Sequence, residues 1–377
     1  MNITEIKSKS LLRKQKKIDS WFLSRYGMNL YRGCTHNCIY CDGRAETYKV
    51  EGIFGDDISV KINSVELLQK ELDPSTKRKP FERGLFLVGG GVCDSYEPVE
   101  KKYELTLKAL KVLNEFGHPV HMLTKSTLIK RDIDLLKEID NQSRAVISMS
   151  FSSVDDEISS IVEPNVPVPS KRLETLTIFK EKGFISGMFL MPVIPFVTDT
   201  DEQIEKSVET AKEAGLDYIV FGAMTLKEGR QKEYFLNEIG KHYPDLIGKF
   251  NSLYGPSKWG NADPAYYESI NKLFFKIAAK YQMPVRIPVN LISNILDKNS
   301  LIVIMLEHID HYSKLMNKNS PYGLAAYTIS KLDKPLSSIR NNLRDLKGVG
   351  EFTEKIILEV LDTGRSTFYE KLIYYDT

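Results

Sequence analysis

Cysteine is scarce in this chain, with four in 377 residues, and tryptophan is scarcer still, with two. So few thiols cannot build the disulfide framework of a small secreted protein, which points to a reducing, cytoplasmic setting. No apolar run approaches the roughly 20 residues that span a bilayer; Leu301 to Leu306 is a short buried stretch at best. The lysine-rich start, Met1 to Lys17, lacks the apolar segment and cleavage site of a secretory signal. Neither sign of charge dominates, the net being +2. The charge is unevenly spread, however. Residues 1–33 carry eight Lys/Arg against Glu5 and Asp19, so residues 1–27 read as a basic arm that either touches phosphates or is simply solvated.

What is present is concentrated. Three of the four cysteines lie in Gly33-Cys34-Thr35-His36-Asn37-Cys38-Ile39-Tyr40-Cys41. A short loop of this kind can wrap three thiolates around three irons of a cubane cluster and leave the fourth iron open. The alternative is a structural zinc site completed by His36, but such sites usually draw on two separated knuckles and a second is absent. An open cluster is oxygen-labile, which favours an anaerobic or protected setting.

After this loop, strand-like apolar runs alternate with helical periodicity. Strands are predicted at Leu85 to Val88, Val120 to Leu123, Ala145 to Phe151, Ile185 to Met191 and Tyr218 to Phe221, with a poorly marked first strand around Met28 to Tyr31. Helices are predicted from Val99 to Phe116, Asp132 to Ile139, Ser170 to Lys182 and Asp201 to Ala214. This pattern places an α/β barrel in residues 28–255 and a helical extension in 256–316. Parallel α/β units bind ligands beyond the carboxyl ends of their strands. The candidates there are Gly89, Gly90 and Gly91, whose bare backbone admits close approach, and Lys125, whose ammonium suits a carboxylate. Ser150 and Arg172 follow as polar candidates, weighed against ordinary capping and surface pairing.

The C-x3-C-x2-C spacing, with Tyr40 before the third cysteine, resembles the signature of radical S-adenosylmethionine (SAM) enzymes. Across roughly Asp19 to Met316, the chain is similar to the spore photoproduct lyase-like branch of that superfamily, the branch of DNA repair photolyase-like proteins. The resemblance rests on Tyr31-Arg32-Gly33-Cys34 through Arg44, Asp94-Ser95-Tyr96-Glu97-Pro98-Val99-Glu100, Leu123-Thr124-Lys125-Ser126, Asp155-Asp156-Glu157 with Glu163-Pro164, Arg172-Leu173-Glu174 and Pro192-Val193-Ile194-Pro195. It implies a partial (β/α)6 barrel with one [4Fe-4S] cluster held by Cys34, Cys38 and Cys41. It also implies SAM beside Tyr40, Gly89–Gly91, Lys125, Ser150 and Arg172, and a flavodoxin- or ferredoxin-type electron donor. In that branch an adenosyl radical removes a hydrogen from a methylene-bridged thymine dimer in DNA, and a cysteine thiol returns one. Cys93 lies near the donor's place, although it stands closer to Asp94 than the family's cysteine stands to its aspartate. Asp42 also follows Cys41 where authentic lyases carry a tyrosine. An RNA-modifying radical SAM enzyme and a non-catalytic iron–sulfur nucleic-acid binder are the rival readings.

Residues 317–377 read as a small all-α unit of four short helices after the linker Met316 to Pro321. Leu346-Lys347-Gly348-Val349-Gly350 is a tight turn onto a helix N-terminus, where amides and the helix dipole favour a phosphate. The unit resembles the helix-hairpin-helix domain of polymerase β-type enzymes. That likeness implies DNA backbone binding through Arg344, Lys347, Gly348, Gly350 and Lys355. The position of such enzymes' Schiff-base lysine falls on Ile356, which implies binding without lyase chemistry. A valine at Gly350 is expected to strain the turn.

Overall fold

Runs of Val, Ile, Leu and Phe with few polar interruptions suit strands buried on both faces, as parallel sheets require. The computed structural model describes residues 2–48, 50, 52–76, 81–89, 93–257 and 259–375. Within them lie ten strands: β1 (Asn2–Ile6), β2 (Arg13–Lys14), β3 (Ser24–Met28), β4 (Tyr31–Arg32), β5 (Asp57–Lys61), β6 (Leu85–Gly89), β7 (Val120–Thr124), β8 (Ala145–Phe151), β9 (Ile185–Val193) and β10 (Tyr218–Ala223). The large sheet runs β10-β9-β8-β7-β6-β3-β2. Every pair from β3 to β10 is parallel, and β2 closes the far edge antiparallel to β3. Six parallel strands joined by helical crossovers make the expected partial (β/α)6 barrel.

The first barrel strand lies earlier than the sequence suggests. Its buried positions alternate through Ser24, Tyr26 and Met28. The apolar pair Leu30-Tyr31 turns away, and Tyr31 and Arg32 pair instead with Val60 and Ser59 of β5. With β1 these strands form a separate three-stranded sheet, so residues of the basic arm supply three strands in all. The helix expected over 99–116 is two helices, Glu100–Tyr103 and Leu105–Glu115, because Glu104 adopts φ +53° between them. Side-chain caps fix several helix starts: Asp155 accepts from Glu157 N and Ile158 N, and Thr200 from Gln203 N.

Two hydrophobic cores result among the described residues. The larger fills the barrel and continues into helix Lys298–Leu315 and the C-terminal helices, where Ile356, Ile357, Val360 and Tyr369 are buried in the same cluster. The Tyr369 hydroxyl donates to His308 Nδ1 (2.9 Å) and is itself the acceptor for Val289 N (3.1 Å), which ties residues 317–377 to the barrel's helical extension. The smaller core joins Cys38, Ile39 and Tyr40 to Phe235, Ile239, Phe250 and Tyr254, and so packs residues 230–254 over the cysteine loop.

In the C-terminal turn the strained glycine is Gly348. Its φ is +91°, and a Cβ there would lie 2.6 Å from Ala325 N. Gly350 has φ −92°, and a Cβ there would meet nothing within 4 Å. Chemical denaturation is expected to show Gly348→Val destabilised by about 2 kcal/mol or more, with Gly350→Val close to wild type.

Candidate active site

The carboxyl ends of the six parallel strands converge on one cavity of about 400 Å³. The loop after β3 brings Cys34, Cys38 and Cys41 to its wall, the loop after β6 brings Cys93 and Asp94, and β7 ends at Thr124 and Lys125. β8 adds Ser150, β9 adds Met191 and Pro192, and β10 leads into Ala223, Met224 and Thr225. Phe22, stacked on Phe189 at 5.4 Å, lies on the inner wall. The sequence-predicted Tyr40, Cys93, Lys125 and Ser150 therefore meet in one space with the three clustered cysteines.

Burial pushes all four thiols up in pKa: Cys34 well above the ordinary thiol range, Cys41 in the same direction, and Cys38 and Cys93 to about 12. Lys125 is held from two sides. Its ammonium donates to Ser150 Oγ (2.8 Å) and lies 3.3 Å from Glu163 Oε1, while its backbone amide donates to Asp94 Oδ2 (2.7 Å). Asp94 also accepts from Thr124 Oγ1 (2.6 Å) and faces His36 Nδ1 at 3.5 Å. Asp94 and His36 thus form a polar brace between the cysteine loop and the ends of β6 and β7.

Arg172, expected beside the cofactor, stands behind this wall and is fully buried. Its Nη2 donates to Glu163 Oε2 (2.5 Å) and Ser159 Oγ (3.1 Å), and its Nη1 donates to the Ser150 carbonyl. Glu163 in turn accepts from the Tyr40 hydroxyl and from Ser159 Oγ (3.0 Å). Burial alone would raise the Glu163 carboxyl, but the charges of Arg172 and Lys125 outweigh it and hold the group down to about 2. Glu163 appears in the sequence only as part of a motif. Its place as the junction of Tyr40, Lys125 and Arg172 depends on contacts 123 residues apart, which spacing does not reveal.

Gly89 sits at the end of β6 with φ +93°, where a Cβ would lie 2.2 Å from Leu123 O. Glycine here lets β6 end against β7. Gly90 and Gly91 lie outside the described residues. The cysteine loop itself is pinned from afar. Ile39 N donates to Val162 O (3.0 Å), Asn165 Nδ2 to Thr35 O (2.9 Å) and Gln231 Nε2 to Tyr40 O (3.0 Å). Arg44 donates to Cys38 O (3.3 Å) and its guanidinium covers the Tyr234 ring at 3.5 Å. Asp42 accepts from Lys227 and from the Tyr48 hydroxyl.

In the C-terminal helices, Lys347 is exposed beside the Gly348 turn. Arg344 pairs with Glu354 (2.6 Å) and Lys355 with Glu351 (2.9 Å). Ile356 is buried, so Lys355 and Ile356 occupy opposite environments on their helix.

The donor set fits a cluster. Three thiols from one loop face a shared cavity, their backbone is fixed by hydrogen bonds on both sides, and a lysine–carboxylate network lies beside them. Comparison with known proteins agrees. Residues 28–208 match the Radical SAM superfamily, a family that uses a [4Fe-4S] cluster and SAM. An uncharacterised protein of Mycobacterium tuberculosis is 28% identical over 263 residues, covering 69% of this chain and 75% of its own. Among solved structures, a single-site variant of spore photoproduct lyase superposes with TM-score 0.53 at 15% identity, over 74% of this chain and 79% of that one. A double variant of the same enzyme, with bound AdoMet and dinucleoside spore photoproduct, gives TM-score 0.50 at 16% identity over 71% and 78%. These similarities show the fold.

The Glu163–Arg172 pair makes the site's stability testable. Removing Arg172 leaves the buried Glu163 carboxylate with Lys125 as its remaining counter-charge, so Arg172→Leu is expected to destabilise in urea unfolding by up to about 3–5 kcal/mol, the cost of a fully stranded charge. Adding Glu163→Gln should recover part of that loss. The carboxyl's folded pKa lies below its ordinary 4.5. Its stabilising effect should therefore be complete above pH 4.5 and be lost as pH falls towards 2.

Proposed function

We propose that the protein, whose residues 28–208 match the Radical SAM superfamily, is a SAM radical enzyme acting on thymine-type lesions or modified bases in DNA, including methylene-bridged thymine dimers. The observation that carries this reading is the placement of Cys93. Its thiol opens into the same cavity as the three clustered cysteines, and burial holds its pKa up at about 12. It therefore keeps its hydrogen at neutral pH, as a hydrogen donor to a bound substrate must.

Cys34, Cys38 and Cys41 would hold the cluster, releasing their protons as they ligate. When bound and reduced, the cluster with SAM supplies a 5′-deoxyadenosyl radical as a hydrogen abstractor. The chain's own contribution is placement. The Lys125 ammonium, steadied by Ser150 and Glu163, offers a positive charge to a carboxylate in the cavity. Tyr40, fixed through its hydroxyl to Glu163, lines the same wall. Phe22 and Phe189, stacked on one another, give the cavity an apolar stretch of wall. Cys93 holds a hydrogen at Sγ across the same space. A one-electron donor of flavodoxin or ferredoxin type completes the requirements.

The C-terminal helices supply the duplex contact in this reading. Lys347 is exposed at the hairpin turn, while Arg344 and Lys355 would exchange their carboxylate partners for phosphates. Such contacts are indifferent to base sequence and sensitive to salt.

Anaerobic reconstitution followed by incubation with irradiated DNA, with mass spectrometry of the bases, tests the chemistry. Replacing any of Cys34, Cys38 or Cys41 by Ala should abolish SAM cleavage, and activity with zinc alone would sink the reading. Cys93→Ala should leave SAM cleavage intact and divert the products from clean reversal. An unchanged product spectrum would remove Cys93 from the reaction, and preference for RNA in competition would replace the DNA substrate.

Lys347→Gln is expected to weaken duplex binding at every sequence. It should also reduce the slope of log affinity against log salt by roughly 0.9, the loss of one phosphate contact. Equal slopes for the two proteins would show that the hairpin does not touch the backbone.

A further inference from the structure

The barrel is open on one side, and a second cavity of about 650 Å³ occupies that opening. Met191 and Ala223 face both this space and the main cavity, so the two adjoin at the ends of β9 and β10. Its far wall holds Trp21, Arg286 and His311. A third cavity of about 480 Å³ meets the same three residues from the other side.

Arg286 is the unusual member. It is 5% exposed, yet among the described residues no carboxylate lies within ion-pair distance of it. Its Nη1 donates to Val285 O (2.9 Å), its Nη2 lies 3.3 Å from His311 Nδ1, and its guanidinium covers the Trp21 ring at 4.2 Å. The other cations on these walls are already matched: Lys272 with Glu268 (2.5 Å), Lys314 with Asp310 (2.6 Å) and Lys17 with Glu307. Asp19 acts on Arg286 only at longer range. His311 and His308 are held neutral by burial and by the arginine's charge, so neither competes for an anion with a charge of its own. A buried guanidinium without a counter-charge costs free energy until an anion completes it.

We propose that Arg286 binds a backbone phosphate of the nucleic-acid substrate, next to the base held in the main cavity, with Trp21 stacking on the neighbouring nucleoside. A guanidinium presents a planar fork matched to phosphate oxygens, and an indole that is 36% exposed offers a stacking face beside it. The lateral opening then serves as the path of the strand. This inference rests on the nucleic-acid reading given above, and it assigns a phosphate-binding residue within that reading.

The chain's two tryptophans, Trp21 and Trp259, provide the probe. In a Trp259→Phe background, Trp21 fluorescence reports on ligand binding at this opening. A short oligothymidylate is expected to change that emission and to bind roughly tenfold or more tightly than its uncharged methylphosphonate analogue. Arg286→Gln should shrink the difference between the two oligomers, while Arg286→Lys should keep more of it. Circular dichroism confirms that each variant is folded, and the methylphosphonate comparison on unaltered Arg286 stands even if a variant is not. If oligothymidylate binds equally with charged and neutral backbone, Arg286 is not a phosphate ligand, and the nucleic-acid reading survives alone. If inorganic pyrophosphate shifts Trp21 emission but no oligomer does, the anion site stands and the nucleic-acid reading falls. No response to either would overturn the proposal.

Discussion

The Glu163–Arg172 ion pair is the constraint on which the active-site wall depends. Neither side chain reaches solvent, and together they touch the end of β8 through the Ser150 carbonyl, the cysteine loop through Tyr40, the end of β7 through Lys125 and the helix Asp156–Val162 through Ser159. Two charges taken out of water need nearly complete satisfaction. The geometry that satisfies them also fixes the positions of the groups that face the cavity. One pair thus converts desolvation cost into positional order at four separate segments of chain.

The cysteine loop shows the same economy of means. Three thiols in eight residues would be floppy in isolation, since a loop with no regular structure has few internal hydrogen bonds. Here its carbonyls and amides are taken up by Val162, Asn165, Gln231 and Arg44. A second hydrophobic core built on Phe235, Phe250 and Tyr254 covers it. Asp42 belongs to this arrangement. Lys227 and Tyr48 hold its carboxylate, which gives the departure from tyrosine at that position a local physical role.

Much of this was legible in the sequence because local signals agree with tertiary demands. The short, mainly apolar runs at Val120, Ala145 and Ile185 suit strands buried on both faces, and each appears where its pattern places it. The cysteines announce themselves by spacing. The first barrel strand was shifted because Leu30 and Tyr31 are as apolar as Tyr26 and Met28, and the choice between them is made by partner strands far along the chain. Arg172 reads as a polar group near a strand end, and only its burial reveals that it supports Glu163 instead of lining the cavity. Arg286 gave no local signal. Its lack of an ion-paired carboxylate among the described residues is a property of everything packed around it, and no motif marks it. Gly348 and Gly350 are indistinguishable as letters, and the backbone angle separates them.

Gln231 anchors the Tyr40 carbonyl across 191 residues of sequence. On the ribosome, chains grow at roughly 5–20 residues per second, so the thiols leave the exit tunnel some tens of seconds before the segment that encloses them exists. During that interval Cys34, Cys38 and Cys41 belong to an unfinished loop open to oxidants and stray metal ions. Loading with iron and sulfide is then best suited to the completed chain, and the delay between making the ligands and making their enclosure becomes a burden that the cell's assembly machinery must absorb.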